Sequence, residues 1–262
     1  MNKILFQIII FLLSLNSILF SQTVVKEYNT NSKSIECDQF NDIYLSDGKS
    51  IKKYNFNFEL LSEYTNTSLG NIDSYDVFNP FKILVYHKNY NKIVLLDKTL
   101  SYDNSQMSLD DYYNANLVCL SGDNNLWVFD NVTKEIIKLD KNKKVISNSG
   151  NINQLLNIEV SPILMKEYNQ NLYLYDSING FIVFDIYGTF NKIIPLKKMS
   201  NIKFLDEYLF GLENKKIIFY NTKNIETKEI EIRDSLVDFA INRDYLFLLL
   251  KDKLLIEKNI LK

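Results

Sequence analysis

Few side chains in this 262-residue chain suit acid–base, nucleophilic or soft-metal chemistry: one histidine, His87, and two cysteines, Cys37 and Cys119. A Ser–His–Asp hydrolase needs its imidazole beside a nucleophile held on a sharp turn, and no G-x-S-x-G elbow is present. A zinc site wants several His or Cys ligands, and these three residues are the whole supply. His87 falls in Tyr86-His87-Lys88-Asn89-Tyr90-Asn91, which reads as a hairpin tip, so a solvated turn histidine is expected. Carboxylates are plentiful, with 32 Asp and Glu. Asp42, Asp47, Asp206, Asp234 and Asp238 are conceivable ligands for a hard cation, but no spacing selects a set from them. No catalytic residue, metal ligand set or cofactor is assigned.

These residues sit in a pattern that repeats six times: an apolar strand, a polar turn, a second apolar strand, then Asp or Asn. It runs Ile43-Tyr44-Leu45 with Ile51 to Asn55, Ile83 to Tyr86 with Ile93 to Asp97, and Leu126 to Phe129 with Ile136 to Asp140. It continues as Leu172 to Tyr175 with Phe181 to Asp185, then Leu209 to Leu212 with Ile217 to Asn221. The sixth copy, Leu246 to Leu250 with Leu254 to Ile256, departs by ending in Glu257. The anchors at 43, 83, 126, 172, 209 and 246 are 37 to 46 residues apart, the period of a propeller blade. Runs such as Leu126-Trp127-Val128-Phe129 are apolar on both faces, as a sheet sandwiched between two others requires. The fold class is all-β, a six-bladed β-propeller. Asp97, Asp140 and Asp185 end strands and are expected to close Asx-turns rather than bind an ion.

The last repeat leaves room for three strands before Lys262. At the other end, Thr23-Val24-Val25-Lys26-Glu27-Tyr28 is strand-like and has no blade of its own. This N-terminal strand is expected to close the last blade, covering an edge that would otherwise template aggregation. Residues 1–21 read as a signal peptide, with Lys3, an apolar Ile4 to Leu13 and Ser21 at the exit; retention as a membrane anchor is the other reading. Residues 22–262 form the propeller. Export into an oxidising compartment makes the cysteines notable. Cys37 lies six residues before anchor 43 and Cys119 seven before anchor 126, on the inner strands of blades 1 and 3. Those blades are not neighbours, and a disulfide needs Cα atoms within about 7 Å, so two buried free thiols are expected rather than a bridge. A net charge of −2 with interleaved signs gives no footprint for nucleic acid or an anionic membrane.

The segment Ile43-Tyr44-Leu45-Ser46-Asp47-Gly48-Lys49-Ser50-Ile51 resembles the strand–turn–strand of NHL-type propellers. Leu172 to Ile182 resembles the YWTD type, and both types are six-bladed. The chain is also similar to small exported propellers of the Bacteroidota. Asp176-Ser177-Ile178 and Asp234-Ser235-Leu236 resemble the O-glycan acceptor pattern of exported Bacteroidota proteins, with Ser177 the better placed. Six-bladed propellers of the sugar-lactonase type hold an axial metal, which keeps a metal-dependent hydrolase or lactonase as the alternative function.

The strongest binding feature is the connection between blades 1 and 2, where Tyr75, Phe78 and Phe81 surround Pro80. It reads two ways: an aromatic recognition loop on a rigid scaffold, or a loop whose Phe78 and Phe81 belong to the blade 2 core. Asp110-Asp111-Tyr112-Tyr113-Asn114 offers an acidic, aromatic rim or ordinary surface. The expected function is a non-enzymatic periplasmic binding or scaffold propeller, a monomer that holds an envelope protein or peptide. No membrane insertion after signal removal is expected.

Overall fold

The computed structural model describes residues 24–102, 106–109, 114–232 and 235–259. The leader assigned to residues 1–21 lies outside them. Six four-stranded antiparallel sheets form the six blades. Blade 1 is β2 (Ser34–Cys37), β3 (Ile43–Ser46), β4 (Ser50–Tyr54) and β5 (Leu60–Thr65). Blade 2 is β6 (Ser74–Asp76), β7 (Ile83–His87), β8 (Lys92–Leu96) and β9 (Gln106–Ser108). Blade 3 is β10 (Ala115–Leu120), β11 (Leu126–Asp130), β12 (Glu135–Leu139) and β13 (Val145–Asn151), followed by a short helix, α1 (Ile152–Leu156). Blade 4 is β14 (Leu164–Tyr168), β15 (Asn171–Asp176), β16 (Gly180–Asp185) and β17 (Phe190–Ile194). Blade 5 is β18 (Ser200–Leu205), β19 (Tyr208–Glu213), β20 (Lys216–Asn221) and β21 (Thr227–Glu231).

Blade 6 has β22 (Asp238–Ile241), β23 (Tyr245–Leu249) and β24 (Lys253–Lys258), and takes its outer strand from β1 (Val24–Asn29). The closing strand runs antiparallel to β24 from Val24↔Glu257 to Asn29↔Lys253, with a register shift between Val24 and Lys26. It is also fastened to blade 1. Tyr28 stacks on Phe58 at 4.4 Å, Phe58 stacks on Tyr54 at 4.4 Å, and Lys26 Nζ lies 4.1 Å from the Phe56 ring centroid.

Each seam between blades is an apolar cluster, and alternate residues of one strand feed opposite seams. Ile83 and Val85 of β7 pack against blade 1, whereas Leu84 and Tyr86 pack against blade 3. The same division holds between blades 3 and 4, 4 and 5, 5 and 6, and across the closure between 6 and 1. The unbroken apolar runs therefore line two seams at once, which a sheet with a wet face could not allow.

The Asp or Asn that ends each third strand turns the chain into the fourth. Asp97 Oδ1 accepts the amides of Thr99 and Ser101, Asp140 Oδ1 those of Asn142 and Lys144, and Asp185 Oδ1 those of Tyr187 and Thr189. Asn55 and Asn221 serve blades 1 and 5 in the same way. In blade 6 no such turn is needed, because the fourth strand arrives from β1; this is why Glu257 replaces the Asp or Asn. Gly180 sits at φ +90°, and a Cβ there would lie 2.3 Å from Ile194 O.

His87 corrects the sequence reading. It is the last residue of β7, fully buried, and the tip is the turn Lys88–Tyr90 with Asn91 left-handed at φ 48°. Both cysteines are free, Cys37 on β2 half-buried and Cys119 on β10 buried.

Removing Val24–Asn29 takes a whole strand from blade 6 and unroofs the seam with blade 1. A loss of several kcal/mol is expected, at about 2–4 °C of melting temperature for each. Calorimetry of the truncated chain checks this; an unchanged melting temperature would refute the closure.

Candidate binding site

The six inner strands, β2, β6, β10, β14, β18 and β22, line the axis of the ring. The turns that follow them form one mouth, a funnel of about 1670 Å³ walled by segments of all six blades. It narrows to a cavity of about 200 Å³ deeper on the axis. Cys37, Asp76, Phe78, Lys166, Phe204 and Ile241 line both spaces, so the two are continuous.

Three phenylalanines stand at the mouth: Phe40 is 57% exposed, and Phe78 and Phe81 are 61% exposed. Each follows an Asp or Asn by two residues, and that side chain accepts the phenylalanine amide. Asp38 Oδ1 takes Phe40 N at 2.8 Å, Asp76 Oδ1 takes Phe78 N at 2.9 Å, and Asn79 Oδ1 takes Phe81 N at 3.0 Å. The Asx-turn reverses the backbone and turns the ring out of the sheet. Phe40 and Phe81 meet edge to face at 6.1 Å. Phe78 reaches inward to Tyr168 of blade 4 at 5.4 Å, and Tyr168 meets Phe204 of blade 5 at 5.4 Å. The reading of Phe78 and Phe81 as blade 2 core is thus overturned, and Pro80 is the buried member; the loop itself is the β6–β7 turn inside blade 2, not the connection between blades 1 and 2.

Tyr75 does not join them. It lies in the wall of the axial cavity, its hydroxyl 3.2 Å from Ser34 Oγ and 3.4 Å from Tyr44 O, and burial pushes the phenol well above its ordinary pKa. Tyr112 and Tyr113, with Asp110 and Asp111, lie outside the described residues. Ser177 is exposed in the turn between β15 and β16.

Below the aromatic collar, charges cross the axis between blades that are not neighbours. Lys166 of blade 4 meets Asp76 of blade 2 at 2.5 Å, its Nζ also 4.9 Å from the Phe78 centroid. Lys203 of blade 5 meets Glu36 of blade 1 at 2.6 Å and donates to Ile35 O at 3.0 Å, with Asp238 of blade 6 at 3.7 Å. Burial pushes the Glu36 carboxyl up against the pull of Lys203. Burial also pulls on Lys203, but Glu36 and Asp238 win and hold its ammonium above the usual lysine range. Both thiols are driven far up by burial, which leaves them without thiolate character.

The carboxylates named from sequence do not converge. Asp42 pairs with Lys53 at 2.9 Å, Asp206 with Arg243 at 2.8 Å, and Asp47 caps the turn of Lys49 and Ser50. Asp238 accepts Ile35 N and Asn201 Nδ2, and Asp234 lies outside the described residues. Among the described residues no three His, Cys, Asp or Glu side chains come together as a metal cage. Sequence reasoning missed Phe40, Glu36, Asp76, Lys166 and Lys203. The Asx-x-Phe spacing would have found the first. A charge in the middle of an apolar inner strand, as in Ile202-Lys203-Phe204, would have found most of the others.

The mouth is stiffened from blade to blade. Glu167 of blade 4 accepts Trp127 Nε1 at 2.6 Å, Ser121 Oγ at 2.5 Å and Gly122 N at 2.8 Å from blade 3. Lys138 lies 5.0 Å from the Trp127 ring, pairs with Asp123 at 2.8 Å and donates to Ile186 O in blade 4. Burial works against Asp123, but Lys138 and neighbouring donors bring its carboxyl down to about 2. Lys53, Tyr44, Asp42 and Lys98 O repeat this latch between blades 1 and 2.

His87 is far from this chemistry. Its Nδ1 is 2.9 Å from Asn71 O and so carries the proton; Nε2, 3.1 Å from Tyr64 Oη, accepts. Burial holds its pKa below the ordinary histidine value. The unfolded chain protonates near pH 6.5 and the folded one only lower, so this stability is present above that pH and lost on acidification. Between pH 7.5 and 5.5 the wild-type melting temperature should fall further than that of His87→Gln. Parallel curves would mean that the imidazole does not titrate as described.

No protein-family model matches the chain, and no curated protein matches it. Solved structures share its ring. Virginiamycin B lyase from Staphylococcus aureus aligns at 12% identity and TM-score 0.62, over 90% of this chain and 99% of that one. The Pan2 WD40 domain of Neurospora crassa aligns at 8% identity and TM-score 0.64, over 92% of this chain and 96% of that one. BBS1N in complex with ARL6DN aligns at 12% identity and TM-score 0.56, over 84% and 75%. At such identities the likeness establishes the fold and nothing finer.

Proposed function

We propose that this protein is a non-enzymatic binding or scaffold propeller of the bacterial cell envelope, exported as a monomer, which holds a protein or peptide partner in its funnel. The observation that carries this reading is the trio of exposed phenylalanines held at the mouth by Asx-turns. Aromatic side chains on a rigid frame give large contact area at low ordering cost, and such residues dominate interface energy. A propeller neighbour in complex with a protein partner supports the same use of the ring. Export rests on Lys3 and the apolar stretch Ile4 to Leu13, and membership of an NHL- or YWTD-like group rests on the blade patterns.

The alternative, a metal-dependent hydrolase or lactonase with an axial site, is served by Glu36, Asp76 and Asp238. These carboxylates are engaged by Lys166 and Lys203, and an ammonium competes with a cation for the same oxygens. A catalytically inactive virginiamycin B lyase with quinupristin is among the structural neighbours, yet the one imidazole of this chain is sealed in a seam between blades. The exposed aromatic mouth above the axis favours binding as the better reading.

The test replaces Phe40 and Phe81 together by Ser. Both rings are exposed, so stability should change by about 0.5 kcal/mol or less for each. Crosslinked capture from cells should then lose a stoichiometric envelope partner that the wild type retains. Equal capture by both proteins would remove the funnel as the contact face. Ser177, exposed at a hairpin tip, is proposed as an O-glycan acceptor. Intact mass of the exported protein should exceed the sequence mass and return to it in Ser177→Ala, and an unmodified wild type dismisses the site.

A further inference from the structure

The axial cavity holds two polar groups whose hydrogen-bonding capacity is not used up. Lys166 has three N–H donors and gives one, to Asp76; its remaining contact is the Phe78 ring. Glu36 receives Lys203 on Oε1, and its Oε2 has no hydrogen-bond partner among the described residues. The other axial groups are more fully engaged: Lys203 binds Glu36 and Ile35 O with Asp238 at 3.7 Å, and Asp238 accepts Ile35 N, Phe239 N and Asn201 Nδ2. The cavity thus presents one donor pole and one acceptor pole. Leu117, Met165, Ile202 and Ile241 form apolar wall between them.

Charge and size narrow the ligand. Three axial carboxylates, Glu36, Asp76 and Asp238, face two ammonium groups, Lys166 and Lys203, so one negative charge is unmatched and a cation is favoured. The collar of Phe78, Tyr168 and Phe204 favours a cation as well, and Lys166 already shows one resting near a ring. A void of about 150 Å³ accepts a benzene-sized ligand, so the 200 Å³ here admits one small apolar residue. A cavity of this volume has room for one residue and not for a run of chain, which favours an end group.

We propose that the axial cavity binds an apolar α-amino-acyl end group, with its ammonium on Glu36 Oε2, its acyl oxygen on Lys166 and its side chain against Leu117, Met165 and Ile202. A free apolar amino acid and the amino terminus of a peptide share this chemistry. The inference rests on the reading of the funnel as a peptide-binding mouth and specifies what that mouth delivers to the axis.

Calorimetric titration of the purified protein tests it with three probes: Leu-Ala-Ala-Ala-amide, its N-acetylated form, and free leucine. Binding of the free-amino peptide with at least tenfold loss on acetylation is expected, and leucine binding as tight as the peptide would identify the free amino acid as the source. Glu36→Gln should abolish the difference between free and acetylated peptide. Should that variant not fold, the acetylation contrast in the wild type stands alone. Equal affinity of the two peptides overturns the proposal. If that shared binding also disappears in the Phe40→Ser/Phe81→Ser protein, the funnel reading survives. No heat from any probe up to millimolar concentration overturns the axial site too, and partner capture then judges the funnel separately.

Discussion

A sheet with two apolar faces and no covering layer can be buried only by other sheets like itself. That constraint organises this molecule. Each blade needs a neighbour on both sides, so the series cannot end, and a ring is the arrangement in which no seam is left open. The two ends of the chain therefore have to share a blade. Lending β1 to β24 converts the most exposed place in a linear array into a seam continuous with the other five. The stacked rings of Tyr28, Phe58 and Tyr54 show that the lent strand also belongs to the blade beyond it. Closure is thus part of the core.

A ring of six sheets leaves space where the inner strands converge, and the residues there answer a different demand from those in the seams. Blades that share no seam are joined across the axis by long charged side chains, those of Lys166 and Lys203. Burying such ions is costly, and an apolar replacement that filled the space would often be as stable. What the ions provide is a polar axis inside an apolar wheel, with unspent donors and acceptors facing a void. The mouth above it is fixed by Glu167 and Trp127 and by the two Lys–aromatic–Asp latches, so the phenylalanines are presented from a stiff frame.

The fold was legible because it is written locally. Strand, turn and strand recur within about a dozen residues, and even the exception at Glu257 marks the blade whose outer strand comes from β1. The site was less legible because it is assembled across the chain. Glu36 and Lys203 meet from positions 167 residues apart, and no local spacing encodes that encounter. Residue type misled in two places. His87 has Lys88 and Asn89 as chain neighbours, which suggested solvent, yet strand alternation had already turned it into a seam. Phe78 and Phe81 have the composition of core, yet the Asp or Asn two places earlier turns them out.

Sharing a ring with a lyase and with a protein-bound domain says only that the ring permits both kinds of work. What separates them is whether a reactive group is left unsatisfied where substrate can reach it. Here burial disarms the thiols, Asn71 and Tyr64 occupy the imidazole, and lysines engage the axial carboxylates. The capacity that remains, a spare carboxylate oxygen, two spare ammonium protons and three exposed rings, is what the proposed binding role draws on. Catalysis requires charge to be better matched in the transition state than in the ground state, through groups preorganised for that moment. An axis with one carboxylate more than it has ammonium groups, and with its spare donor and acceptor set apart across apolar wall, offers the two poles that the proposed ligand would bridge.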